Sequence, residues 1–244
     1  MNTAIKWGKL TRNVADGVDI PHAEHTEIQI WDETEVTIFL TSARSSLYYP
    51  LFHLALYSGA RRGELLALRW QDVDLIAGQL SISRSLSQSK DKSFYFKQPK
   101  TKTSRRTIAL SRSAILVLKQ HRESTEHQHS RLGQIINDSD LIFSQTLDNR
   151  PLRPATVSKA WESEIRKTGV KVIRFHDARH THASLLLKAG VPLKVVSERL
   201  GHSSIAITAD IYSHILPGMQ EAAAQRFDEL ISNQYNNKVP ENIR

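Results

Sequence analysis

Between residues 80 and 110 the helical spacing of apolar residues gives way to three short, partly alternating runs: Leu80-Ser81-Ile82-Ser83, Phe94-Tyr95-Phe96 and Thr107-Ile108-Ala109-Leu110. Alternation with period two is what an antiparallel strand with one wet face requires, so this stretch predicts a small antiparallel three-stranded sheet. Both flanks return to helical spacing. The chain is therefore expected to be mixed α+β, mainly α-helical, with the sheet in its middle.

On the N-terminal side, Asp32 or Thr34 can cap a helix running to about Ala43. A second helix carries Leu51, Leu54 and Ala55 and stops at Ser58-Gly59, and a short one follows from Arg62 to Leu68. On the C-terminal side, helical patterns begin at Ser111 and recur near 154–168, 177–189, 192–200, 204–211 and 218–231. Gly190 and Gly201 suit helix C-termini, and Pro192 suits a first turn. A length of 244 residues fits one large domain with an appendage. Residues 1–28 read as a short helix with Ile5, Trp7 and Leu10 followed by a linker, the stub of a preceding domain. Residues 29–216 form the main domain. Residues 217–244 form a helix and tail, in which Phe227, Leu230 and Ile231 share one face that packs on its own domain or on a neighbouring protomer.

The formal net charge of +8 is unevenly distributed. Residues 84–122 hold eleven Lys and Arg against the single acid Asp91, a local charge of +10, so the rest of the chain is slightly acidic. A concentrated basic block over strands and turns is the footprint of a polyanion partner, and a solvated basic face is the plainer alternative. The absence of cysteine excludes disulfides, thiolate metal sites and cysteine nucleophiles, and suits a reducing compartment. No run approaches the length of a membrane span, so a cytoplasmic protein is expected.

Four stretches carry polar residues of chemical interest. In Ser58-Gly59-Ala60-Arg61-Arg62-Gly63-Glu64 a glycine turn presents Arg61, with Glu64 three residues on and able to orient the guanidinium; an exposed ion pair is the bland reading. In Pro99-Lys100-Thr101-Lys102-Thr103-Ser104-Arg105-Arg106 the lysines can reach a phosphate backbone, and one lysine among other cations can donate a proton. In Phe175-His176-Asp177-Ala178-Arg179-His180-Thr181-His182, His176 and Arg179 face the same way at a helix start, suited to one phosphate. His176 and His180 at i, i+4 also invite a zinc reading, but the glutamate and third ligand of such a site do not accompany them; His180 and His182 also read as structural histidines. The fourth stretch places His202 at a helix boundary and Tyr212 at the end of the next helix, where a lone tyrosine is ordinarily a packing residue.

Taken together, these motifs resemble the tyrosine recombinase, or phage-type integrase, family. SGARRGELLALRW is similar to its first box, PKTKTSRRTIAL to its lysine hairpin, FHDARHTHAS to its H-x-x-R box and LGHSSIAITADIYSH to its closing segment. The resemblance implies the family's catalytic fold and the catalytic set Arg61, Lys100, His176, Arg179, His202 and Tyr212, with Glu64 in support. It implies transesterification at a DNA phosphodiester through a 3′-phosphotyrosyl intermediate, without metal, cofactor or ATP, for integration or excision of a mobile element. Tyr212 would attack, Arg61 and Arg179 would brace the phosphate oxygens, and Lys100 would protonate the leaving oxygen. His176 would assist proton transfer around the tyrosine, and His202 would hydrogen-bond the phosphate. Arg62, Lys97, Lys102, Arg105, Arg106 and His180 are expected to touch double-stranded DNA. A tetramer on DNA, accessory DNA-bending proteins and no membrane association complete the expectation. The short N-terminus leaves one competing reading, a truncated, non-catalytic DNA-binding remnant or regulator. A topoisomerase-like nicking enzyme would share the site and lack only strand exchange.

Overall fold

The computed structural model describes residues 2–13, 29–89, 91–98, 105–145, 149–212, 224–229 and 231–232. Its helices are α1 (Asn2–Lys6), α2 (Glu33–Ser42), α3 (Tyr49–Ser58), α4 (Arg62–Leu65), α5 (Arg112–Ser130), α6 (Pro154–Arg166), α7 (Asp177–Lys188), α8 (Leu193–Leu200) and α9 (Ile205–Tyr212). The residue that caps helix α2 is Asp32, not Thr34. The Asp32 carboxylate accepts from the Glu35 N–H at 2.8 Å, and the Glu35 carboxylate accepts from the Asp32 N–H at 3.0 Å. This reciprocal cap satisfies two helix-end donors at once.

The main core is aromatic. Trp161 of α6 lies 4.3 Å from Phe39 of α2, 5.1 Å from Trp31 and 5.2 Å from both Phe52 of α3 and Phe175, measured between ring centroids. Each of these five rings is at least 95% buried, so the cluster supplies a large share of the apolar driving force. The two indole N–H groups are not wasted: Trp31 donates to the Lys171 carbonyl at 2.7 Å and Trp161 to the Ile173 carbonyl at 2.9 Å. Those bonds pin the segment leading into α7, which carries the expected site residues Arg179 and His180 and has His176 at its N-cap.

Strands β1 (Val73–Asp74), β2 (Gln79–Ile82) and β5 (Arg106–Ala109) form an antiparallel sheet in the order β1-β2-β5, with Leu80 opposite Ile108 and Ile82 opposite Arg106. Strands β3 (Ser85–Gln88) and β4 (Phe94–Lys97) pair separately. This corrects the expected membership of the sheet: the run at residues 94–96 belongs to the outer hairpin, and Val73–Asp74 is the third strand of the inner sheet. The reason lies at Arg84, whose Nε–H donates to the Ala67 carbonyl at 2.7 Å while its guanidinium sits 4.3 Å from the Phe96 ring centre. This anchorage separates β2 from β3 at the turn. β3 itself escaped notice because Ser-Leu-Ser-Gln holds a single apolar residue.

Helices α7, α8 and α9 enclose a second, smaller core of Ala183, Leu187, Val196, Leu200 and Tyr212. Residues 224–229 and 231–232 are helical, and Phe227 and Ile231 are exposed; the other positions of the expected 218–231 helix, Leu230 among them, lie outside the described residues. Among the described residues no helix is long and apolar enough to cross a membrane.

Candidate active site

Arg61 stands at the N-cap of α4 with extended backbone. Glu64, one turn on, accepts from the Arg61 backbone N–H at 2.8 Å and from its Nη1 at 2.9 Å, so the expected pairing is present. It also accepts from Arg106 of β5, at 3.1 Å from Nη1 and 2.8 Å from Nη2. Burial alone would raise the Glu64 carboxyl; the hydrogen bonds and charges of Arg106 and Arg61 outweigh it and hold the group below the usual carboxylate value. Arg61 Nη2 donates onward to the Gly201 carbonyl at 3.1 Å, tying α4 to the C-terminus of α8. Gly201 has φ +68°, and a Cβ there would sit 2.8 Å from Arg106 Nη1, so glycine is required by both backbone and neighbour.

His176 caps α7, and Arg179 and His180 lie on its first turn. Arg179 is only 4% exposed; Nη1 donates to the Gly59 carbonyl at 2.8 Å, and Nη2 is buried without a partner among the described residues. A buried guanidinium N–H left open is costly unless a ligand completes it. Burial, and then the charge of Arg61, lower this guanidinium to about 9, so it is still a cation at neutral pH. Gly59 lets the His182 ring pack close: at φ +64° it ends α3, and a Cβ would fall 2.5 Å from that ring. His182 is structural. Its Nδ1 meets the Leu56 carbonyl at 2.8 Å and its Nε2 accepts from Arg199 Nε at 2.9 Å, which fixes a neutral tautomer.

The α8–α9 unit brings the remaining groups. His202 Nδ1 bonds the buried Thr208 hydroxyl at 2.7 Å, leaving Nε2 for a ligand; burial, then Arg179 and Arg61, lower the ring to about 4. The Tyr212 ring is 1% exposed within the second core, and its hydroxyl lies 2.9 Å from His180 Nδ1. Burial raises the phenol above the ordinary tyrosine value, and the Arg179 charge pulls it down. His176 and His180 rings meet edge to face at 5.3 Å. Burial, then Arg179, lowers His176 as well. Arg61, His176, His202 and Tyr212, drawn from three separate stretches of chain together with Arg179, thus lie within electrostatic reach of the Arg179 guanidinium. The chemistry of this cluster is that of an anion site: guanidiniums in excess of carboxylate, neutral imidazoles and a phenol. Among the described residues no group of three or more His, Asp or Glu side chains could hold a metal ion.

Other residues expected at the site fall differently. Lys100 and Lys102 lie outside the described residues. Lys97 is exposed on β4, and Arg105 is exposed with Nη2 on the Gln98 side chain at 2.9 Å. Arg106, expected on the DNA-facing surface, is instead buried: besides Glu64 it donates through Nε to the Arg199 carbonyl at 2.7 Å. Arg62 is half-buried and donates to the Ser158 hydroxyl at 2.6 Å. His180, also expected to meet DNA, is engaged by Tyr212. Arg199 escaped sequence reasoning altogether, yet its guanidinium joins His182 to the carbonyls of Ala109 and Tyr57 at 3.0 Å each.

These side chains are held by a mixed, mainly helical fold with a small antiparallel sheet. A family model described as the phage integrase family matches residues 29–219, and the chain belongs to that family. It is 32% identical to a tyrosine recombinase XerC-like protein of Caldanaerobacter subterraneus subsp. tengcongensis and 30% identical to the ICEBs1 integrase of Bacillus subtilis, covering 94% of this chain in each case. The chain spans 63% and 62% of the length of these two relatives. Among solved structures it is similar to the Tn1549 transposon integrase bound to transposon right-end DNA (TM-score 0.72, 20% identity, covering 92% of this chain and 74% of that one). It is also similar to XerA recombinase (TM-score 0.63, 22% identity, covering 92% and 73%). These likenesses establish the tyrosine recombinase catalytic fold.

Proposed function

We propose that this chain is the catalytic part of a site-specific DNA recombinase that cleaves and rejoins strands through a 3′-phosphotyrosyl intermediate. The observation that carries the reading is the open Nη2 of Arg179, a buried cationic donor within electrostatic reach of Arg61, His202 and Tyr212. A tetrahedral phosphate is the ligand whose charge and oxygen geometry match two guanidiniums and an imidazole.

In this mechanism Tyr212 Oη attacks the scissile phosphorus, and the bond to the 5′ oxygen breaks. One phosphoester replaces another, so no external energy source is needed. Arg61 and Arg179 bind the non-bridging oxygens as negative charge grows, the place that metal ions hold in other phosphoryl-transfer enzymes. Glu64 and Arg106 keep Arg61 in register, and His202 Nε2 donates to a phosphate oxygen. Lys100 protonates the 5′ leaving oxygen, and His176 stands beside the reacting groups at the start of α7. Lys97, Lys102 and Arg105 follow the duplex backbone without reading sequence. The exposed Phe227 and Ile231 supply an apolar face for a neighbouring protomer in a tetramer on DNA. Accessory DNA-bending proteins assist assembly in a cytoplasmic setting.

The test is a nicked duplex, chosen by binding from a randomised pool, incubated with the protein and excess chelator. A covalent adduct that survives detergent and disappears in Tyr212→Phe supports the proposal. Binding without any adduct would show a DNA-binding module instead.

A further inference from the structure

The structure assigns to His180 the role of taking the phenolic proton from Tyr212, an inference that rests on the strand-transfer reading above. Proton transfer around the tyrosine was expected to involve His176. The geometry selects its neighbour one turn along α7: His180 Nδ1 lies 2.9 Å from Tyr212 Oη, a hydrogen-bond distance, whereas His176 meets His180 only ring to ring. The tyrosine is 1% exposed, its ring held by Ala183, Leu187, Val196 and Leu200, so bulk water has little access to the hydroxyl. A phenol shut away in this manner needs a partner that can accept its proton as it attacks.

The groups around His180 suit the task. From α7 and the turn before it, His176, Arg179 and Arg174 oppose a second positive charge and Asp177 favours it; from α9 the partner is Tyr212, and His202 faces it from the α8–α9 turn. Burial is the largest influence and leaves the ring neutral near pH 7, titrating at about 4. With the phenol protonated and the imidazole neutral, the Tyr212 O–H donates to the Nδ1 lone pair and the ring proton sits on Nε2. On attack an Oη lone pair forms the bond to phosphorus, the P–O5′ pair leaves with the 5′ oxygen, and the phenolic proton passes to Nδ1. The 5′ oxygen takes its own proton from Lys100. In rejoining, the imidazolium returns its proton to the departing phenolate, so the cycle closes without a co-reactant.

Two measurements on the whole chain test this. First, single-turnover cleavage of the selected nicked duplex is compared for wild type, His180→Ala and His180→Gln, with folding and DNA binding checked by thermal melting and filter binding. Removing a general base predicts a loss of about 10²- to 10⁴-fold in both variants. Installing 3,5-difluorotyrosine at position 212, whose phenol ionises without help, is expected to restore most of the loss. A 5′-bridging phosphorothiolate, whose sulfur leaves without a proton, is expected not to. Second, nitrogen NMR of the ring should show Nδ1 unprotonated at pH 7. Wild-type rates in either variant, failure of the fluorinated phenol to rescue, or a proton on Nδ1 would each overturn the inference. Absence of any adduct with wild type would instead overturn the strand-transfer reading itself.

Discussion

Arg179 has one guanidinium nitrogen, Nη2, buried with no partner among the described residues, and in the proposed mechanism a phosphate oxygen completes it. The account predicts that Arg179→Ala lowers single-turnover cleavage by about 10³-fold or more while duplex binding falls far less, because the guanidinium matters most as charge builds on the phosphate. Glu64 makes a second, stability-level prediction. It is 5% exposed and answers two arginines, of which Arg106 is buried and Arg61 partly exposed, so Glu64→Gln leaves the buried Arg106 cation without its carboxylate; urea denaturation should show a loss of about 3–5 kcal/mol. At this scale the Arg61–Glu64 pair and the placing of His176 and Arg179 at a helix start were legible in the sequence, because local spacing beside a turn decides both. Arg106 was misread because a sequence displays its charge but not its partner 42 residues away, and Arg199 was missed for the same reason. His180 was assigned to DNA because nothing in the sequence reveals that α9 returns to place a hydroxyl on its ring.

Among the elements, helix ends were legible wherever a cap or a glycine marked them, as at Asp32, Gly59 and Gly201. Gly59 and Gly201 do more than end helices: each lets a charged or imidazole side chain cross close to its backbone. Gly59→Ala is accordingly expected to cost about 2 kcal/mol or more, from the left-handed backbone and the clash with His182 together, read as a lowered melting temperature. The strand pairing was the weaker part of the sequence reading. Three alternating runs suggested a single sheet, yet the anchoring of Arg84 on the Ala67 carbonyl and the Phe96 ring diverts the chain into a second hairpin. Alternation reports that a strand has a wet face and says nothing of which strand lies beside it.

Over the whole molecule the burial of imidazoles ties stability to acidity. His53, His180 and His202 titrate at about 4 and His182 at about 3 in the fold, burial being the largest cause in each, against an ordinary value of 6.5. Below pH 6.5 the unfolded chain therefore binds more protons than the folded one. Stability is complete above that value and is lost progressively as pH falls toward 4. Denaturant midpoints between pH 7.5 and 4.5 should show this decline, and a midpoint that stays level would contradict the buried neutral rings. The net charge of +8 acts at the same scale, and DNA affinity should fall linearly on a log–log plot against salt concentration. The central claim is the bond between Tyr212 and a DNA 3′ phosphate, and peptide mapping of the trapped adduct by mass spectrometry measures it directly. The account predicts a nucleotide attached through its 3′ phosphate to Tyr212. Attachment to another residue, or through a 5′ phosphate, would contradict it.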